Sequence, residues 1–81
     1  MTVEQLRATR EAQPFRPFTL YLAGGRSYRV PHRDYLSMSP SGRTVIIYQN
    51  DESFSILDLL LVTEIAVEGG PVQPTGEAGA A

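Results

Sequence analysis

The chain has 81 residues, enough for one small domain, and it contains no cysteine, which excludes disulfide bridges, thiolate catalysis and cysteine-based zinc sites. Its formal net charge is −2, and this acidic balance is unlike the basic excess of most dedicated nucleic-acid binders. The charge is uneven. Residues 1–43 carry seven arginines against three acidic residues, a net of +4, whereas residues 44–81 carry six acidic residues and no basic one, a net of −6.

This asymmetry has two interpretations. Strands from the two halves can pair and place opposite charges as neighbours on one surface. Alternatively, separate basic and acidic faces remain in the fold and dock one subunit on the next or bind an anionic partner.

The first residues lack the apolar segment of a signal peptide, and the longest unbroken apolar run, Leu59 to Val62, is far shorter than a membrane span. We therefore expect a soluble, cytoplasmic protein with no membrane partner.

The chain begins with the signals of a short helix. Thr2 and Gln5 have the spacing of a capping box, in which the hydroxyl accepts from the third helical amide and the Gln side chain reaches back. Pro14 ends the helix, which we expect over residues 3–12. Its few apolar positions indicate that it lies on the surface of another element.

After residue 17 the apolar pattern changes to a period of two, which is typical of β-strands. Phe18, Leu20 and Leu22 share one face of the first strand. Gly24 and Gly25 then predict a two-residue hairpin loop, and residues 26–30 form the return strand.

Pro31 closes this strand because it cannot donate to a ladder. Further strands are expected over residues 35–39, 44–49 and 54–57, joined by turns at residues 39–42 and 50–53. A brief turn near residues 58–60 precedes a last strand, and four alternate residues are expected to share one face of it: Leu61, Thr63, Ile65 and Val67.

We therefore predict a mainly β (α+β) fold. A short N-terminal helix is followed by an antiparallel meander of five to six strands that forms a small barrel or half-barrel. Residues 1–68 form a single domain, and residues 69–81, rich in Gly, Pro and Ala, form a disordered tail.

The tripeptide His32-Arg33-Asp34 matches the opening of a protein-kinase catalytic loop. The asparagine and the glycine-rich loop that belong with it are missing. A second histidine that could complete a metal site is missing as well. The sequence therefore predicts no enzyme, no catalytic residue, no metal and no cofactor, and it places this tripeptide in a structural loop.

Two sets of residues are candidates for binding. An Arg and Tyr mixture on neighbouring strands could stack bases and hold phosphates: Tyr21, Arg26, Tyr28 and Arg29. The last third of the chain has more apolar side chains than a monomer of this size can bury, which predicts self-association through them. The candidate residues are Ile56, Leu57, Leu59, Leu61 and Ile65.

The leading hypothesis is a non-enzymatic module that forms a homo-oligomer and acts by binding another protein. The alternative is RNA binding through the Arg and Tyr patch, which is not favoured.

Two resemblances accompany this hypothesis. The segments "QPFRPFTLYLAGGRSYRVPH", "SPSGRTVIIY" and "SILDLLLVTEI" resemble short uncharacterised bacterial proteins of similar length, over about residues 3–67. The order of helix, "FTLYLAGG" and "TVIIYQNDESFSILDLLLVTEI" is similar to the Sm-like (Hfq-type) barrel family. That second resemblance implies a ring of subunits that binds RNA.

Overall fold

The computed structural model describes residues 1–69. It contains one α-helix and six strands: α1 Val3–Glu11, β1 Phe18–Leu22, β2 Ser27–Val30, β3 Leu36–Met38, β4 Thr44–Tyr48, β5 Phe54–Asp58 and β6 Val62–Val67. A first 3₁₀ turn spans Arg33–Tyr35 and a second spans Leu59–Leu61. Of the tail expected from residue 69 onward, residues 70–81 lie outside the described part of the chain.

The capping box predicted at the start of α1 is present. The amide of Gln5 donates to the Thr2 hydroxyl at 3.1 Å, and the amide of Thr2 donates to the Gln5 side chain at 3.3 Å. One face of α1 packs on the sheets through Leu6, which is fully buried. Within residues 1–69, no helix combines the length and the apolar character needed to cross a membrane.

The six strands form two antiparallel three-stranded sheets, with the orders β2-β1-β6 and β3-β4-β5. This confirms the mainly β, α+β class and the helix followed by strands. The expected meander is present from β3 to β5, but β6 returns to pair with β1. In the described residues, strand pairing closes no barrel: β2 and β3 are successive along the chain and belong to different sheets.

The core lies between these elements and takes side chains from both sheets and from α1. Among residues 1–69, ten apolar residues are buried in one cluster: Leu6, Phe18, Leu20, Val30, Leu36, Val45, Ile47, Leu57, Leu59 and Val62.

The β1–β2 hairpin has a longer loop than the sequence suggested. Gly24 and Gly25 both have φ of +99°, as a tight turn requires. The amide of Leu22 donates to the carbonyl of Arg26 at 2.9 Å, so the loop between these two residues consists of residues 23–25.

The prediction for the first residues of the last strand is wrong: Leu61 was expected on the same face as Ile65, but Val62 is the residue that faces the core. Val62 is buried, whereas Leu61 is 51% exposed in the second 3₁₀ turn. The pairing of β6 with β1 also shifts register between Tyr21 and Leu22. This bulge restores the inward direction at Ile65, which packs against the core.

Candidate functional site

The tripeptide His32-Arg33-Asp34 has a structural explanation. The Arg33 guanidinium donates to the carbonyl of Ala12 at 2.7 Å and to the carbonyl of Arg10 at 3.1 Å. These are carbonyls at the C-terminal end of α1, where backbone acceptors lack helical partners and a cation is favourable. Arg33 therefore ties the end of the helix to the segment between the two sheets.

Aromatic contacts hold the same segment. The His32 ring stacks on Phe15 at 6.3 Å between centroids and on Tyr35 at 6.4 Å. The Arg33 guanidinium carbon lies 5.3 Å from the centroid of the Phe15 ring. No group of three potential metal ligands occurs within residues 1–69.

The four residues of the predicted Arg and Tyr patch do not share one face. Tyr21 pairs with Ser27, and Arg29 pairs with Thr19, so Tyr21 and Arg29 lie on the outer face of their sheet. Tyr28 pairs with Leu20 and packs against the core. Arg26 belongs with Tyr28, since its guanidinium donates to the Tyr28 hydroxyl at 3.2 Å.

One arginine of this patch is already paired with an acid. Arg29 donates to both carboxylate oxygens of Glu68, at 2.7 Å and 3.1 Å. The hydrogen bond from Arg29 lowers the pKa of Glu68 below its ordinary value, and the same bond raises the pKa of Arg29. This pair joins a residue of the basic half to one of the acidic half, as the first interpretation of the charge asymmetry expects.

The outer edges of the two sheets differ in how they are covered. On β3, the Arg10 side chain of α1 donates to the carbonyl of Leu36 at 2.9 Å. On β2, a strand of only four residues, the charged Arg29 lies at the edge. Short strands, charges and covering elements are the usual protection of sheet edges.

The edge of β6 is partly flanked by the helix. A groove of about 280 Å³ lies between α1 and Val67, the last residue of β6. The bulge at the other end of β6 interrupts the regular ladder. The β6 edge is therefore irregular at one end and next to α1 at the other.

The edge of β5 has less protection among the described residues: its one charged residue, Asp58, lies at the strand end, and a groove separates the strand from the β1–β2 hairpin. Two backbone bonds bracket its pairing with β4: Gln49 donates to Ser53 at 2.9 Å, and Leu59 donates to Arg43 at 2.8 Å. Bonded and non-bonded pairs alternate along an antiparallel ladder. The β5 residues that bond to β4 are therefore the ones in phase with Ser53 and Leu59.

It follows that Ser55 and Leu57 bond to β4, and that Phe54 and Ile56 direct their amides and carbonyls away from it. Their side chains also face solvent, because Phe54 is 57% exposed and Ile56 is 65% exposed. An edge with free backbone groups and apolar side chains is a template for pairing with another strand.

The second 3₁₀ turn extends this apolar surface. The Asp58 carboxylate accepts from the amide of Leu60 at 2.9 Å and so fixes the turn after β5. Leu60 is 66% exposed, and Leu61 is 51% exposed. We call the four residues of this region the β5 surface: Phe54, Ile56, Leu60 and Leu61.

A groove of about 540 Å³ lies beside the β5 surface. Ile56 and Leu61 line one side of it, and Leu22, Arg26 and Tyr28 of the β1–β2 hairpin line the other. Two residues of the predicted Arg and Tyr patch, Arg26 and Tyr28, therefore line the same groove as two residues predicted for self-association, Ile56 and Leu61.

The five residues predicted for self-association fall into three environments. Leu57 and Leu59 are core residues, 7% and 3% exposed, so they cannot contact a partner in this structure. Ile65 is half-buried against the core. Ile56 and Leu61 are exposed and belong to the β5 surface.

Phe54 and Leu60 belong to the β5 surface but were not predicted from the sequence. Phe54 could have been found from the period of two, since it lies on the same face as Ile56. Leu60 had no such signal, because the four apolar residues after Asp58 do not reveal which of them turn inward.

Comparison with protein-family models, with curated proteins and with solved structures finds no match to this chain.

Proposed function

We propose that this chain is a non-enzymatic β-rich module that self-associates through the β5 surface and acts by binding another protein. The observation that carries this proposal is the open edge of β5, where Phe54 and Ile56 combine outward backbone groups with exposed apolar side chains.

Burial of this surface is favourable for a chain of this size. A domain of about 70 residues hides a limited fraction of its unfolded surface, and further burial against a copy adds stability. Full burial of a fully exposed Ile or Phe side chain contributes about 1.5–3 kcal/mol, and Ile56 and Phe54, which are 65% and 57% exposed, would gain the corresponding part of that. A new strand pair also gives hydrogen-bond partners to the amides and carbonyls that Phe54 and Ile56 direct away from β4.

The proposal includes an Sm-like arrangement of the two sheets as halves of a small open barrel. Support comes from β2 and β3, which follow each other across the first 3₁₀ turn, and from β6, which returns beside β1. With β2 and β3 taken as one bent strand, the order around such a barrel is β6, β1, β2–β3, β4, β5. The edges of β5 and β6 are then the two ends of the sheet.

RNA binding through the Arg and Tyr patch has less support. Its members lie on two faces of one sheet, and Arg29 is engaged by Glu68. A bound phosphate would have to compete with that carboxylate.

The proposal is tested by the mass of the assembly in solution. Sedimentation equilibrium at tens of micromolar should give at least twice the chain mass of 8.9 kDa. Ile56→Asp places a charge on the β5 surface and should shift the assembly toward monomer. Ser41→Asp is the matched control, because it adds the same charge at an exposed turn between β3 and β4.

A wild-type mass of 8.9 kDa across this concentration range would contradict self-association. If the Ile56→Asp and Ser41→Asp variants have the same fraction of monomer, the contact between copies does not involve the β5 surface.

A further inference from the structure

We infer that two copies of this chain pair their β5 strands antiparallel around a two-fold axis at Ile56, so that β3-β4-β5 continues into β5-β4-β3 of the second copy. This inference rests on the proposed self-association and adds the partner strand, its direction and its register.

The backbone of β5 is complementary to itself in this arrangement. Ile56 is the middle residue of Phe54–Asp58, so an antiparallel pair centred there overlaps the strand along its full length. Phe54 then lies opposite Asp58 of the second copy, and Ile56 lies opposite Ile56. These positions have outward-directed backbone groups, so they can form the bonded pairs of the new ladder.

The charges of the strand are compatible with this register. Asp58 is the one charged residue of β5, and it lies at the strand end. The two Asp58 residues would be offset by four positions, about 14 Å along the strands at a rise of about 3.4 Å per residue. That separation exceeds the screening length of about 8 Å at physiological salt.

The side chains would form a continuous apolar row across the junction. Ile46 of β4 lies directly opposite Ile56 on the same face. The dimer would thus align Ile46 and Ile56 of one copy with Ile56 and Ile46 of the other. Cross-strand pairs of branched apolar residues stabilise sheets. The Phe54 ring, 6.3 Å from Tyr48 between centroids, would flank this row on each side.

The β6 edge is a less suitable partner for β5. Its ladder has a bulge near Val62, and α1 flanks its other end at Val67. Its charged residues are also of the same sign as Asp58, since β6 carries Glu64 and is followed by Glu68. Pairing of β5 with β6 would join two different edges and build a ring or a filament.

Single-cysteine crosslinking distinguishes these arrangements, because the chain contains no native cysteine. Under diamide oxidation, Ile56→Cys should give a covalent dimer, since facing residues of a bonded antiparallel pair have Cα atoms about 5.5 Å apart, within disulfide range. Phe54→Cys is the matched control. It is exposed on the same face, yet the two copies of residue 54 would be offset by about 14 Å, so no dimer should form.

A third sample, an equal mixture of Ile56→Cys and tagged Val67→Cys chains, probes pairing of β5 with β6. Circular dichroism of each variant should match that of the wild type, which shows that the fold is kept. The inference is overturned if the Ile56→Cys and Val67→Cys chains crosslink to each other in preference to Ile56→Cys with itself. It is also overturned if the wild type associates but Ile56→Cys gives no dimer, a result that leaves the proposed self-association intact. A monomeric wild type would contradict both the proposed self-association and the pairing of β5 with β5.

Discussion

Ile46 and Ile56 lie directly opposite each other in the antiparallel pair of β4 and β5, yet their environments differ. Ile46 is half-buried, with neighbouring strands on both sides, whereas Ile56 is 65% exposed at the sheet edge. The difference comes from position in the sheet and not from residue type. The structural question is therefore what covers β5.

The first prediction concerns the phase of β5. Leu57→Ala should lower the free energy of unfolding by about 2–5 kcal/mol, because it removes a buried side chain and leaves a cavity. Ile56→Ala, measured at a concentration low enough for monomer, should change it by only about 0.5 kcal/mol, as for an ordinary surface site. Guanidinium denaturation followed by circular dichroism measures both. Equal losses would show that the assigned phase of the strand is wrong.

The second prediction concerns Arg33. Arg33→Ala removes both hydrogen bonds to the end of α1 and should cost about 1–3 kcal/mol in urea unfolding, because partly buried carbonyls lose a charged donor. Arg33→Lys keeps the charge but not the planar fork, so it should recover only part of the loss. Arg7→Ala, at an exposed position of α1, is the control and should be nearly neutral. A neutral Arg33→Ala variant would contradict the tie between helix and loop.

The third prediction follows from the pair of Arg29 and Glu68. Because Arg29 lowers the pKa of Glu68 in the folded protein, this stabilisation is present above the unfolded pKa of the carboxyl and is lost as the pH falls through the folded pKa. Arg29→Gln should raise the titration midpoint of the Glu68 carboxyl in an NMR pH series. Arg26→Gln should leave that midpoint in place. An unchanged midpoint in Arg29→Gln would mean that the pair does not form in solution.

The fourth prediction concerns Gly42, which has φ of +80° and lies against the side chain of Val3. In Gly42→Ala the new methyl group would meet Val3 Cγ1 at 2.8 Å, so strain from the left-handed backbone adds to overpacking. Gly25→Ala is matched for positive φ but has open space around it. We expect Gly42→Ala to be the more destabilising by about 1–3 kcal/mol in thermal or urea unfolding. Equal effects would show that α1 does not pack on this turn.

Much of the local structure could be predicted from short-range signals. The capping residues of α1, the alternation in β1, the glycine loop and the turn of residues 39–42 depend on chemistry within a few positions. The sequence could also have predicted that the residues of the Arg and Tyr patch lie on two different faces of the sheet. Neighbours such as Tyr28 and Arg29 must point to opposite faces of a strand.

Long-range features could not be found in this way. Arg33 reaches Ala12 across 21 positions, and β6 pairs with β1 instead of extending the meander. The run after Asp58 was ambiguous because several apolar residues in succession fit either a strand or a turn. The Asp58 cap on Leu60 resolves it by turning Leu59 inward and leaving Leu60 exposed. This capped turn determines that Leu60 and Leu61 are exposed and belong to the β5 surface.

Amide hydrogen exchange at Ile56, followed by NMR as the protein concentration is raised, tests the central claim most directly. The amide points to the open edge of β5, so it should exchange rapidly in dilute protein and become protected as copies associate. The amide of Leu57, bonded to β4, should be protected at every concentration. If the Ile56 amide exchanges rapidly even when the protein is fully associated, the β5 edge is not where the copies meet.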